Sequence, residues 1–466
     1  MGAQRTDRRL RLWLAIAAGV FVWTVPASAE WSASLPMLAA CRPATPPELP
    51  QRWHAVGLMM PFLDGQLDVG EFVYDGALPA MRATVYGLQS GAVDLLITEN
   101  DTYLLSGPHR SPTQCTALGR KLRPPSAQWL ATESVCVGEA PLEEQAVQWW
   151  QKGGFEPARY WVSTGSRLPW RTSFVSRALD PAIIGDYAMT YFPAFTPLPQ
   201  TDLAALRDRC AATAKPGGAG ISAAVPTARE LMAIGDEAGE AERKERLAAL
   251  IPGLSHGACA RVNPVRWPDR FVMTAMVTPI KVNDNPYSAL IYYDWNGAQT
   301  QLVLPFHGSP PILQGIISLK QQVGYRLRHH QSGKDTCAAD LPGIVRPDWM
   351  TAASCECKGV VSRDSTLSPH GDSQILSCPI KGQGGRIMWT WYATNGRPIM
   401  FVEAMPQSGG VMLADYGDWV PGQTGRASDF ELPKICTPAN DQDHAPAGDA
   451  PSFSGASCSD CHTTRQ

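Results

Sequence analysis

Residues 385–405 read GRIMWTWYATNGRPIMFVEAM. Two apolar runs flank Asn395-Gly396. Asn-Gly accepts the positive φ values of a tight hairpin turn, and the flanking Ile, Trp, Tyr, Phe and Val suit a pleated, half-buried surface. The stretch predicts two antiparallel strands joined at Asn395-Gly396. The same logic recurs at 292–306, YYDWNGAQTQLVLPF, around Asn296-Gly297. Residues 82–105, RATVYGLQSGAVDLLITENDTYLL, give further short runs cut by Gly, Ser and Asn-Asp. GVMLADYGDW at 410–419 supplies another edge.

These runs fall into two matching halves. PQRWHAVGLMM (50–60) answers to PVRWPDRFVMTAMV (264–277). Trp53 is set against Trp267, Tyr74-Asp75 against Tyr293-Asp294, Trp129 against Trp349, and Trp150 against Trp391. Cys41, Cys115, Cys136 and Cys210 are set against Cys259, Cys337, Cys378 and Cys436. The expected fold is mainly β: two tandem repeats, each a curved or partly closed antiparallel sheet of roughly six to ten strands, joined by a linker with one helix.

The expected divisions are 1–29, 30–212, 213–256, 257–436 and 437–466. Residues 213–256 start Gly/Ala-rich and continue into a helical pattern. Thr227 and Glu230 form its capping box, and Gly235 and Gly239 weaken its middle. Residues 437–457 are Pro, Ala, Ser, Gly and Asp, a composition that buries no core and reads as a flexible tether. Each half carries its own Trp-rich strands and cysteines, so 30–212 and 255–437 are each expected to fold alone.

The N-terminus places the chain outside the cytoplasm. Arg5, Arg8, Arg9 and Arg11 precede an apolar run from Leu12 to Val25, and Ala27-Ser28-Ala29 gives an A-x-A cleavage signal. This is the pattern of a secretory signal peptide, and the run falls short of the roughly 20 residues a membrane span needs. Export, most simply to a bacterial periplasm, is expected, with no membrane span after cleavage. A net charge of −3 recommends neither nucleic acid nor an anionic membrane as a partner. The 15 Trp residues point to Trp-anchored cores or to an aromatic-lined pocket.

In an oxidising compartment, an even count of 12 cysteines reads as disulfides. The expected pairs are Cys41–Cys210, Cys115–Cys136 and Cys259–Cys436, with Cys337, Cys355, Cys357 and Cys378 forming two more. Cys355 and Cys357 are too close along the chain to join each other without strain. No bridge is expected between the halves.

Cys458 and Cys461 belong to neither repeat. With His462 they form C-S-D-C-H, the C-x-x-C-H spacing of covalent haem attachment. Two thiols must reach the two vinyl groups of one porphyrin, and the adjacent imidazole then falls over the iron. A local disulfide and a Cys/Cys/His metal site are the other readings of the same residues. The motif resembles that of c-type cytochromes. The resemblance implies thioether bonds at Cys458 and Cys461, His462 as the proximal iron ligand, and haem c as cofactor. It departs from the family in coming last in the chain, so a distal ligand must come from upstream (His444, Met405 or Met412) or from a partner. The curved sheets of half-repeat size are similar to those of periplasmic lipoprotein-carrier and ependymin-like folds, which implies an apolar ligand on a concave face.

Elsewhere chemistry is sparse. Asp75 and Asp294 stand in matched turns and read as turn formers. His329-His330 lies in a polar loop. No nucleophile-elbow, zinc-protease or phosphate-loop motif is present in a credible context. Two functions remain. One is electron transfer to a partner protein through a tail-tethered haem. The other is a disulfide-stapled binding or carrier module for an apolar ligand, with no redox role. Both require export, so the mature chain is expected to begin at Glu30, which N-terminal sequencing of the exported protein checks.

Overall fold

The computed structural model describes residues 39–436, apart from 62–64, 90, 108–113, 119–121, 127, 143–144, 153–157, 175–186, 217–239, 262–264, 280–286, 296–298, 305–312, 319–322, 329–333, 342–345, 366, 368–370, 380–386 and 406–409. The signal peptide and the C-terminal tail lie outside the described residues.

The alternating runs become strands. The first half holds β1 (Arg52–Pro61), β2 (Asp68–Asp75), β3 (Ala80–Gly87), β4 (Ala92–Thr98), β5 (Thr102–Ser106), β6 (Gln114–Ala117), β7 (Ser134–Leu142), β8 (Gln145–Lys152), β9 (Ala158–Ser163), β10 (Pro169–Phe174) and β11 (Tyr187–Pro197), then helix α1 (Leu203–Thr213) and the short β12 (Lys215–Pro216). The second half opens with helix α2 (Glu240–Leu250) and the short β13 (Leu254–Ser255). It continues through β14 (Arg270–Pro279), β15 (Tyr287–Asp294), β16 (Gln299–Leu304), β17 (Leu313–Ser318), β18 (Val323–Arg328), β19 (Thr336–Leu341), helix α3 (Trp349–Ala352), β20 (Glu356–Val361), β21 (Ser373–Pro379), β22 (Ile387–Ala393), β23 (Pro398–Met405) and β24 (Gly410–Pro421). The opening hairpin is β22–β23, with Gly396 at φ 90°.

Both halves form a 12-stranded sheet by the same route, and each has more strands than expected. The chain walks outward from a central strand (β1 to β6, β14 to β19). It then crosses to the opposite edge and walks back, so that β11 pairs with β1 and β24 with β14. Among the described residues, both sheets stay open in this order.

One face of the first sheet curls over the crossing segment. Leu95 on β4 and Trp150 on β8 share one buried cluster with Leu118, Leu122 and Leu130, although six strands lie between β4 and β8. Seven steps of about 4.8 Å would hold them about 34 Å apart in a flat sheet. In the second half, Trp267, Trp349 and Met350 fill the same place against Phe271, Tyr293 and Tyr392.

Strand register corrects the residue alignment. Arg52 pairs with Asp75 as Arg270 pairs with Asp294, so Trp53 corresponds to Phe271. Trp53 stacks on Tyr74 at 5.3 Å and Phe271 on Tyr293 at 4.7 Å. Trp391 corresponds to Trp161, because each faces the matching residue of the preceding strand. Cys136 corresponds to Cys357: both precede a bulge, and Glu133 and Ser354, three residues earlier, share positive φ values of 55° and 57°.

The disulfides follow this geometry. They are Cys41–Cys136, Cys115–Cys210, Cys259–Cys357, Cys337–Cys436 and Cys355–Cys378. The expected Cys115–Cys136 pair fails because β6 and β7 lie toward opposite ends of the sheet. The expected Cys41–Cys210 pair fails because Ala39 bridges to Glu139 on β7 and holds Cys41 there. Cys259–Cys436 fails likewise, since the turn holding Cys259 contacts β20 while the turn holding Cys436 contacts β19. Cys355 and Cys357 are not joined, and none of these bridges links the two halves.

Helix α2 (Glu240–Leu250) falls in the stretch expected to be helical, and the expected cap at Thr227 lies outside the described residues. Helix α1 is not legible in the sequence. It has little amphipathic signal, yet Leu203, Leu206 and Cys210 pack on Ala80, Leu96, Tyr103 and Leu105.

The second face of each sheet is buried against the other sheet. Val56, Leu58, Trp149, Trp161 and Met189 from the first half share one core with Met276, Ile375, Trp389, Trp391 and Val402 from the second. Trp389 Nε1 donates across this interface to the Pro61 carbonyl at 2.8 Å. At its centre the fully buried Arg171 guanidinium donates to both Asp415 carboxylate oxygens, at 2.6 and 2.7 Å, and to Tyr191 Oη at 2.9 Å. It also lies 4.1 Å over the Trp161 ring. Arg171 faces Tyr191 as Met400 faces Asp415. Arg171 and Met400 are therefore equivalents, as are Tyr191 and Asp415. The contact of Tyr191 Oη with Met400 Sδ at 2.9 Å is the repeat-related counterpart of the ion pair. The two sheets meet as a self-complementary pair does in a symmetric dimer.

A half on its own would leave this face, and one partner of the ion pair, in water. The expectation that each half folds alone meets its main obstacle here. Arg171→Ala should strip a buried carboxylate of its partner and lower stability by about 3–5 kcal/mol, while Arg171→Met with Asp415→Leu should recover most of that. Urea unfolding of the full chain measures both.

Candidate functional site

The turn between β9 and β10 decides where the first half stays open. Residues 163–169 read STGSRLP, and the matching turn at 393–398 reads ATNGRP. Backbone bonds fix the equivalence. Ser163 N donates to the Leu168 carbonyl as Ala393 N donates to the Arg397 carbonyl, and Arg167 N donates to Ser163 as Gly396 N donates to Ala393. Leu168 thus holds the place of Arg397, and Arg167 the place of Gly396, with one extra residue in the first-half turn.

Beside this turn lies a cavity of about 460 Å³. Its walls include Leu168, Pro169, Trp170, Phe192 and Phe195, with Ser163, Thr164 and Ser166 at the rim. Phe192 and Phe195 meet edge-to-face at 5.9 Å, and Phe195 also packs on Trp53 at 4.8 Å. The slot therefore abuts the inner core of the first sheet. None of its lining residues is charged. Cavities of this size with aromatic walls and a few hydroxyls suit apolar small molecules.

The matching turn of the second half carries its own arginine inward. Phe192, Pro193 and Phe195 correspond to Tyr416, Gly417 and Trp419. Arg397 Nη2 donates to the Gly417 carbonyl at 2.9 Å, on the strand that carries those residues. Burial pulls the Arg397 guanidinium below its ordinary value, with Asp418 working the other way. Arg167 instead turns toward β8 and the N-terminal segment. Its Nη1 donates to Gln148 Oε1 at 2.7 Å and its Nη2 to the Thr45 carbonyl at 2.5 Å.

The other residues singled out from sequence have structural roles or lie elsewhere. Asp75 accepts from Thr201 Oγ1 at 2.6 Å, Arg52 Nε at 2.9 Å and Ala77 N at 3.0 Å. Burial raises its pKa, but these three donors outweigh that and hold it below the usual carboxylate value. Asp294 pairs with Arg270 at 3.2 Å. Both are braces of matched strands rather than an acid/base pair. Cys458, Cys461, His462, His444 and His329-His330 lie outside the described residues, as do the side chains of Met405 and Met412. Among the described residues no cluster of His, Cys, Asp or Glu is arranged to hold a metal, and no helix is long and apolar enough to cross a membrane. The slot itself is only half legible in the sequence. The abundance of Trp raises an aromatic pocket as one option, and the segment YFPAF at 191–195 is plainly aromatic, but nothing local joins it to residues 163–170.

No family model and no curated protein matches the chain. Among solved structures, it is similar to an uncharacterised conserved protein from Thermus thermophilus, with 14% identity, a TM-score of 0.26, and 36% of this chain and 87% of that one covered. It is similar to a LolA-superfamily protein from Nitrosomonas europaea, with 10% identity, a TM-score of 0.21, and 38% and 96% covered. It is also similar to the Pseudomonas aeruginosa MucA/MucB complex structure, with 10% identity, a TM-score of 0.21, and 78% and 88% covered. Likenesses at these scores carry no functional weight.

Proposed function

We propose that the chain is an exported, disulfide-stapled binding or carrier module that takes an apolar ligand into the slot walled by Trp170, Phe192 and Phe195. The slot carries this reading. It is uncharged, walled on one side by aromatic rings, rimmed by hydroxyls and continuous with an aromatic core. The scaffold suits it, because two packed sheets and five disulfides hold the walls in place without a ligand. The disulfides and the N-terminal pattern support an oxidising, periplasmic setting. Binding should be seen as enhanced fluorescence of the neutral dye N-phenyl-1-naphthylamine. Trp170→Ala should weaken it about tenfold or more, roughly 1.4 kcal/mol. Val135→Ser, an exposed apolar site, should leave it unchanged. Equal affinity in the Trp170 and Val135 variants would count against the slot.

We also propose that the C-terminal motif carries haem c, with Cys458 and Cys461 as thioether residues and His462 as the proximal ligand. Its support is the C-x-x-C-H spacing in an exported chain. Bound haem would supply one-electron chemistry, exchanged with a partner protein while the tether sets a high local concentration. After expression with a haem-attachment system, the denatured protein should stain for haem and show a c-type spectrum. Cys461→Ala should abolish both. A chain without covalent haem under those conditions would leave the binding reading alone.

A further inference from the structure

Arg167 stands where the second half has a glycine. Its φ is 61°, in the left-handed region, while the equivalent Gly396 has φ 90°. A non-glycine residue held there is strained, and such outliers concentrate at functional positions. The turn could have kept glycine, as its counterpart does. It keeps the longest cationic side chain instead.

The partners of that side chain are also informative. Both acceptors, Gln148 Oε1 and the Thr45 carbonyl, are neutral. Among the described residues no carboxylate pairs with Arg167. The nearest acid in this network, Glu139, is reached only through Gln148, whose Nε2 donates to it at 3.2 Å. Gln148 is fully buried and fixed, since its Nε2 also reaches the Pro43 carbonyl at 3.2 Å. The guanidinium is therefore positioned but not neutralised, and the residue is only partly buried.

Its place relative to the slot is set by its neighbours. Ser166 and Leu168 on either side line the cavity, and so does Ala146, which shares a face of β8 with Gln148. A fixed cation thus stands in the turn that borders an uncharged aromatic slot, between two of its lining residues. Resting on the binding reading above, we infer that the ligand is a single-chain amphipathic anion. Its alkyl chain occupies the slot between Trp170, Phe192 and Phe195. Its carboxylate or phosphate head accepts from the Arg167 guanidinium, with the Ser166 and Thr164 hydroxyls beside it. A guanidinium held by neutral oxygens gains a charge-assisted partner from such a head.

The test compares dodecanoate and dodecyl phosphate with neutral dodecanol, all below their micellar concentrations, by isothermal titration against the full chain. At least one anion should bind about tenfold or more tighter than dodecanol, and the tighter of the two identifies the head group. Arg167→Gly, which restores the residue the turn geometry favours, should erase the preference, so that the anions bind no tighter than dodecanol. Arg167→Gln, which keeps a donor for Thr45 but no charge, should do the same. Trp170→Ala should weaken all three ligands together. If dodecanol binds in a Trp170-dependent way but neither anion is preferred, or if the preference survives both Arg167 variants, the inference is overturned and the slot stands. If none of the three binds, or Trp170→Ala changes nothing, the binding reading itself is overturned.

Discussion

A guanidinium removed from water needs a carboxylate, and the first half of the chain does not provide one for Arg171. Asp415 does, from the other half, and the pair sits among Trp161, Trp170, Tyr191 and Met400 at the centre of the interface. Aliphatic contacts around it are tolerant of small shifts; a bidentate ion pair is not. The pair therefore fixes how the sheets meet, while the surrounding Trp and Leu side chains supply most of the burial. Its repeat-related counterpart, Tyr191 with Met400, is neutral. The interface thus keeps the form of a symmetric dimer, with one polar clamp where a strict dimer would have two.

The same divergence made the site. Each half has an aromatic pair on its last long strand and a turn beside it. In the second half, Arg397 donates to the Gly417 carbonyl on that strand. In the first, a one-residue-longer turn puts Leu168 in that position and moves the arginine to a left-handed position facing the N-terminal segment. The two halves thus diverge at this turn while keeping nearly the same set of residue types.

Much of the architecture is legible in the sequence because it is local or periodic. Asn395-Gly396 marks its hairpin, and the matched Tyr-Asp pairs mark equivalent strands. The pairing of cysteines is not legible, because it depends on the crossing from β6 to the far edge of the sheet, which no spacing along the chain encodes. Order along the chain matches Cys378 to Cys136, whereas bulge and positive φ match Cys357. The site is hidden for a related reason. Trp170 and Phe192 are joined only by the pairing of β10 with β11. Arg171 reads as an ordinary strand residue until its partner, 244 residues away, is known.

The central claim is that an apolar chain lodges in the first-half slot and nowhere else in the repeat pair. Photolabelling of the full chain with a diazirine-bearing alkyl probe, followed by peptide mapping, addresses this directly. Label confined to the peptides holding residues 163–170 and 192–195 is the predicted result. Label spread evenly over both halves, or concentrated on the matching second-half turn at 393–398, would contradict it.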